Sequence, residues 1–202
     1  MRNNGSKYIV LFALLISVAA LSLGFAAFTS TLTISAEATY QDPGNWDLKL
    51  STVNNKIQTG TVTPTVTGAT GSAATLTNNS ITGLKATFTA TGQSVKYSFY
   101  AYNASAFLGY LNSVNIGTKT CTAKAGTNQT YVNTACGDIS LSVKVGSQTY
   151  TSSNTNISSH TLAASTAEPI EVTISYAANG ATADGDFDVS FGDVTLIYGT
   201  AD

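Results

Sequence analysis

The sequence predicts an all-β protein, an immunoglobulin-like or jelly-roll β-sandwich of about nine or ten strands behind an N-terminal hydrophobic helix. Three observations predict it. Short runs alternate apolar and polar residues along most of the chain, which is the period of a half-buried strand. Gly, Asn, Asp and Ser clusters punctuate those runs and supply turn chemistry. Downstream of the first thirty or so residues no stretch repeats apolar residues at helical spacing. Only 10% of the 202 residues are charged, well below the roughly 25% of ordinary soluble proteins. The 10 Tyr, 8 Phe and many β-branched residues nevertheless argue for a packed core rather than disorder.

The first element is the run Tyr8 to Phe28, which carries no charge and follows Arg2 and Lys7. A positive start followed by about 20 apolar residues reads as an export signal, with the positive end held on the cytoplasmic side and the remainder translocated. The same length suffices to span a ~30 Å hydrocarbon core, so two expectations stand. Residues 1–26 are a signal peptide cut between Ala26 and Ala27, where Gly24 and Ala26 form a small-x-small pattern, or they are a retained membrane anchor. Residues 27–202 form the β-sandwich domain.

From Thr31 onward the alternation is strict: Leu32, Ile34, Ala36, Ala38 and Tyr40 share one face, and Thr31, Thr33, Ser35, Glu37 and Thr39 the other. The junction LGFAAFTSTLTIS resembles the leader region of camelysin/TasA-type exported proteins, in which a dedicated signal peptidase cuts before an Ala-Phe pair, here Ala27-Phe28. The chain departs from that pattern at Ser30, where the family commonly has Asp. The phrase Gly92 to Leu111 resembles a strand and outward turn of bacterial immunoglobulin-like surface domains. The resemblance implies an exported cell-surface or biofilm-matrix protein, with fibre-forming relatives, in which residues 27–40 serve as a donor strand through Phe28, Leu32, Ile34, Ala36, Ala38 and Tyr40.

Gln41 to Asn45 is a turn, with Pro43 fixing φ and Gly44 permitting a positive one. Trp46, Leu48 and Leu50 then alternate with Asp47 and Lys49, and the chain's one Trp is expected to anchor the core. The Thr/Gly-rich stretch from Asn54 to Asn79 keeps Val62, Val66, Ala74 and Leu76 in alternation around Pro64, which predicts short edge strands. Ile81 to Ala90 and Ser94 to Asn103 alternate on either side of Thr91-Gly92-Gln93, and predict a hairpin. A strand over Leu108 to Ile116 follows the Asn103-Ala104-Ser105 turn. Asp138 to Val145, Pro169 to Tyr176 and Phe187 to Tyr198 are three further alternating runs.

Cys121 and Cys136 are the only cysteines. An even count in an exported chain predicts a disulfide closing the loop between them, worth about 3 kcal/mol by chain entropy. Two cysteines alone make no zinc site.

Little else in the sequence points to chemistry. His160, the only histidine, lies in NISSHTL and reads as a surface-loop residue, since no orienting acid or oxyanion hole is specified beside it. Some camelysin-type proteins are described as metalloproteases, but the chain has no His-Glu-x-x-His, and no enzyme is expected. Asp184, Asp186 and Asp188 are candidate calcium ligands. They do not follow the EF-hand pattern, because Val189 occupies the glycine position and Thr195 that of the bidentate Glu; the alternative is a solvated acidic turn. Asn78, Asn103, Asn128 and Asn156 head Asn-x-Ser/Thr sequons.

With 9 basic and 11 acidic residues and no basic cluster, the chain lacks the electrostatic footprint of a nucleic-acid binder. The expected partners are further copies of itself, by strand exchange, and a membrane only through the N-terminal segment. Two other readings remain: a membrane-anchored or pilin-like subunit, and a secreted carbohydrate-binding module using Tyr97, Tyr100, Tyr102 and Tyr110, of which Tyr97 falls on the core face and Tyr100 and Tyr102 on the opposite one. The chain as read has no Leu-Pro-x-Thr-Gly sorting signal, so covalent wall attachment is not expected.

Overall fold

In the computed structural model, residues 46–157 and 159–200 are described, and they form an all-β sandwich. The predicted cleavage pair Ala26 and Ala27, the apolar run and the donor-strand residues Phe28 to Tyr40 lie outside the described residues.

One layer is straight. β1 (Leu48–Ser51), β8 (Ser94–Asn103), β14 (Thr166–Tyr176), β11 (Ile139–Val145) and β12 (Gln148–Tyr150) lie side by side in that order, and β3 (Thr65–Thr67) shares the outer side of β8 with β1. All of these pairings are antiparallel. Along β8 and β14 each second residue is buried: Val95, Tyr97, Phe99 and Ala101 on the first, Ile170, Val172, Ile174 and Tyr176 on the second. The alternation therefore runs unbroken for the length of the strands, as a sheet with one solvated face requires.

The opposing layer is kinked. Its two sheets run β13 (Thr161–Leu162), β9 (Gly109–Ile116), β16 (Val194–Gly199), β6 (Ser80–Thr82), β5 (Ala74–Leu76), β2 (Gly60–Val62), and β10 (Lys119–Ala123), β15 (Phe187–Phe191), β7 (Lys85–Phe88), β4 (Thr70–Gly71). Three strands pass directly from one sheet into the other, β6 to β7, β9 to β10 and β15 to β16, and they do so side by side. Backbone bonds stitch the step: Phe191 N–H donates to Leu84 O, Gly117 N–H to Asp193 O, and Gly192 N–H to Thr118 O. The buried residues change phase across it, from Phe187 and Val189 to Val194, Leu196 and Tyr198, and from Ile81 to Leu84, Ala86 and Phe88. An added residue that shifts the pairing and bends the strand is the action of a bulge. Glycine is required where the bent strands touch, since a Cβ on Gly117 would lie 2.4 Å from the backbone of Gly192.

The predicted run from Phe187 to Tyr198 is thus two strands of opposite phase. The predicted hairpin also differs. β7 pairs with β15 and β4, and β8 with β14, β1 and β3, so the Thr91-Gly92-Gln93 turn crosses between layers. In a hairpin the apolar faces of the two strands would lie side by side; here they oppose each other across the core. The Tyr97 hydroxyl on β8 donates towards Ser72 O and Lys85 O in the other layer, 2.9 and 3.0 Å away. The turn is held by side-chain bonds between Gln93 and Thr89 and by the exchange of backbone bonds between Gly92, Gln93 and Tyr176. Beneath it, Phe88, Tyr176 and Phe187 pack with ring centroids 5.6 to 6.1 Å apart, within the range favourable for tilted aromatic contacts.

Between Cys121 and Cys136, where a loop was expected, lies a helix, α1 (Gln129–Cys136). Asn128 caps it, its side chain accepting from Thr130 N–H, which satisfies one of the orphan donors of the first turn. Val132 and Ala135 are its buried residues. Eight residues with two small anchors give too weak a periodic signal to stand out in the sequence. Trp46 packs against the core at its margin, beside Gly109.

Candidate assembly interface

The margins of the two layers decide what this sandwich can bind, because an unpaired strand edge exposes a row of backbone donors and acceptors. Among the described residues, three of the margins are met by local chemistry. On β10 the side chain of Gln129 occupies the edge: Ala123 N–H donates to its Oε1 at 2.8 Å and its Nε2 donates to Cys121 O at 3.2 Å. The Cys121–Cys136 disulfide, with Cα atoms 6.1 Å apart, ties the strand to the helix that carries this plug. On β9 residues 153–157 and 159–162 run along the outer side, through a Val114–Asn154 bridge, Ile157 N–H to Asn112 O, Leu111 N–H to His160 O, and β13. On β1, Leu50 N–H donates to Asn78 O, and Thr52 N–H to Gln58 O just beyond the strand.

The far margin of the straight layer is different. β14 pairs with β11 along its whole length from Ile139 to Val145, whereas β12 covers only Val143 to Val145. Lys119 reaches the lower end, donating from Nζ to Ile139 O at 2.7 Å and to Cys136 O. Burial lowers the pKa of this lysine, and the neighbouring Asp138 charge opposes that shift.

His160 does not lie on a surface loop as expected. Its Nε2 is 2.7 Å from Glu168 Oε2, both side chains are nearly enclosed, and the Tyr198 hydroxyl donates to Glu168 Oε1 at 2.9 Å. Glu168 belongs to β14 and Tyr198 to β16, so the carboxylate joins the two layers. Burial, and then the Glu168 charge, push the Tyr198 pKa well above its usual value, which keeps the hydroxyl protonated as a donor. Glu168 lies eight residues beyond His160 and across a turn, and no spacing rule links the two.

The three candidate calcium ligands are brought close in sequence but not into a ligand set. Asp184 Oδ1 accepts from Asn128 N–H, and the backbone oxygen of Asp186 accepts from Thr127 Oγ1 and Lys124 N–H, so both fasten the approach to α1. Asp188 points to Thr87 Oγ1 at 2.6 Å and to the ammonium groups of Lys85 and Lys124 at 2.9 and 3.6 Å. Burial pushes its carboxyl up, but the hydrogen bonds from Thr87 and Lys85 and the two lysine charges outweigh it and hold the pKa below the usual value. Among the described residues no group of three His, Cys, Asp or Glu side chains could hold a metal ion.

Of the sequons, Asn103 is buried with its amide in use, donating to Phe107 O and Leu162 O and accepting from Ser105. Asn78, Asn128 and Asn156 are exposed. Tyr97 is core, as its face predicts, while Tyr100, Tyr102 and Tyr110 are half-buried.

No family model matches the chain. No curated protein and no solved structure matches it either. Among the described residues no helix is long and apolar enough to cross a membrane.

Proposed function

We propose that this is an exported structural protein of the cell surface or extracellular matrix that assembles by strand addition, each copy giving residues 27–40 to the next. The observation that carries the reading is the placement of one alternating segment. Leu32 to Tyr40 follows an export-type apolar run and leads into β1, which forms a margin of the straight layer. A strand delivered at a sheet margin is suited to pair through main-chain hydrogen bonds with the margin of another copy. The leader resemblance at Ala27-Phe28 supports the same reading, since a cut there would free the segment.

Negative-stain microscopy of the protein recovered from outside the producing cell tests this. Fibres are expected from the mature protein and none from a form lacking Ala27 to Tyr40. Fibres of normal appearance from the shortened form would reject strand addition. N-terminal sequencing of the same material separates the alternative of a retained anchor: a start at Ala27 removes the apolar run, and a start before Tyr8 keeps it.

A further inference from the structure

We propose that Asn128, at the entrance to α1, carries an amide-linked glycan in the exported protein. This rests on the export half of the proposed function and is independent of strand addition.

An Asn-x-Ser/Thr sequon in an exported chain is a sugar acceptor at the surface, so a folded domain must present both its amide nitrogen and its hydroxyl residue. The fold separates the four sequons on that ground. Asn103 is buried, and its Nδ2 donates to Phe107 O at 2.8 Å and to Leu162 O at 3.0 Å. Asn78 is exposed, but Ser80, which completes its sequon, is only 2% exposed and its hydroxyl lies 2.9 Å from Thr77 Oγ1. Ser158, which completes the sequon of Asn156, lies outside the described residues. At Asn128 both conditions hold, since Asn128, Gln129 and Thr130 are all exposed.

The hydrogen bonds of Asn128 leave the reacting atom available. Its backbone N–H donates to Asp184 Oδ1 and its Oδ1 accepts from Thr130 N–H, each at 2.9 Å. Among the described residues its Nδ2 makes no hydrogen bond. In the transfer, Nδ2 gives up one hydrogen as a proton to solvent and bonds to the anomeric carbon of a lipid-phosphate-linked sugar. The bond from that carbon to the phosphate oxygen breaks, and the lipid phosphate leaves with the electron pair. The product keeps the carbonyl oxygen, so Oδ1 goes on capping α1.

The surroundings suit a sugar. Tyr131 is 54% exposed in the same first turn, where its N–H donates to Asn128 O, and a tyrosine ring joins an apolar face to a polar tip. Gln129, the next residue, already occupies the edge of β10, so a glycan at Asn128 adds bulk beside a margin that a second strand could otherwise join.

Peptide mass spectrometry of the protein from its producing cell tests the site. Cleavage after lysine separates Asn128, in residues 125–144, from Asn103, in residues 97–119. After reduction, peptide 125–144 is expected to carry a mass increment of whole sugar units, and peptide 97–119 none. The increment should be lost in Asn128→Gln and in Thr130→Val, which leaves the capping bond from the backbone of residue 130 intact, and kept in Thr130→Ser. An unmodified peptide 125–144 from protein that begins at Ala27 overturns the site and leaves export standing. An increment that survives in both variants belongs to another residue and also overturns it, as does sugar on Asn103, which would show that the fold does not select the acceptor. Unprocessed, unmodified protein held inside the cell overturns export and the site together.

Discussion

In the straight layer β14 runs for 11 residues beside the 10 of β8, held by regular alternation, whereas the kinked layer shifts phase in three adjacent strands at one line. The straight layer depends on many interchangeable apolar contacts; the kinked layer depends on a few positions where backbone meets backbone. Tolerance to substitution should therefore differ sharply between them.

The largest effect is expected at Gly117. Gly117→Val drives a side chain into the Gly192 backbone and should cost more than about 3 kcal/mol, the upper range for overpacking. Ile174→Val in the straight layer, fully buried, should cost about 1 kcal/mol. Urea midpoints of the two variants measure the contrast, and similar losses would remove it.

Replacing both Cys121 and Cys136 by Ser should lower stability by about 3 kcal/mol for a loop of this length. The variant should also exchange the amide of Ala123 faster than the wild type does, because the tie that holds α1 and its Gln129 to β10 is lost.

Tyr97→Phe should cost about 1 kcal/mol through loss of the hydroxyl that spans the layers. Equal exchange protection of Lys85 in the variant and the wild type would show that this bond does not couple them.

The smallest effect concerns Asp188. Its folded pKa is lowered, so its contribution is present above the unfolded value of about 4. It is lost as pH falls through the lower folded value, because the unfolded chain takes up the proton first. Asp188→Asn should flatten the pH dependence of stability in that window and leave the variant less stable than the wild type near neutrality, the difference closing as pH falls through the window.

Much of the straight layer was legible in the sequence, because Val95 to Ala101 and Ile170 to Tyr176 alternate without interruption. The kinked layer was legible only in pieces. The change of phase between Phe191 and Val194 is visible in the residues, but a glycine in an apolar run also suits a simple strand, and the alignment of three such steps depends on tertiary pairing. The hairpin expectation failed for a related reason: periodicity gives the inward face of a strand, not the layer it joins. The disulfide followed from counting and context, while α1 inside its loop is too short to announce itself. At the candidate interface, the alternation of residues 32–40 could be read from the sequence; the short extent of β12, which pairs with only Val143 to Val145 of β11, could not.

The plug on β10 has a chemical lifetime. A primary amide offers an acceptor and two donors; Gln129 uses its oxygen and one N–H to end the sheet, and its Nε2 also donates to Asn133 Oδ1. Deamidation to Glu would keep the acceptor for Ala123 N–H and replace the donor facing Cys121 O with a second oxygen, turning half of the closure into repulsion. An ageing reaction at one side chain would thereby reopen a strand margin that the folded chain had shut.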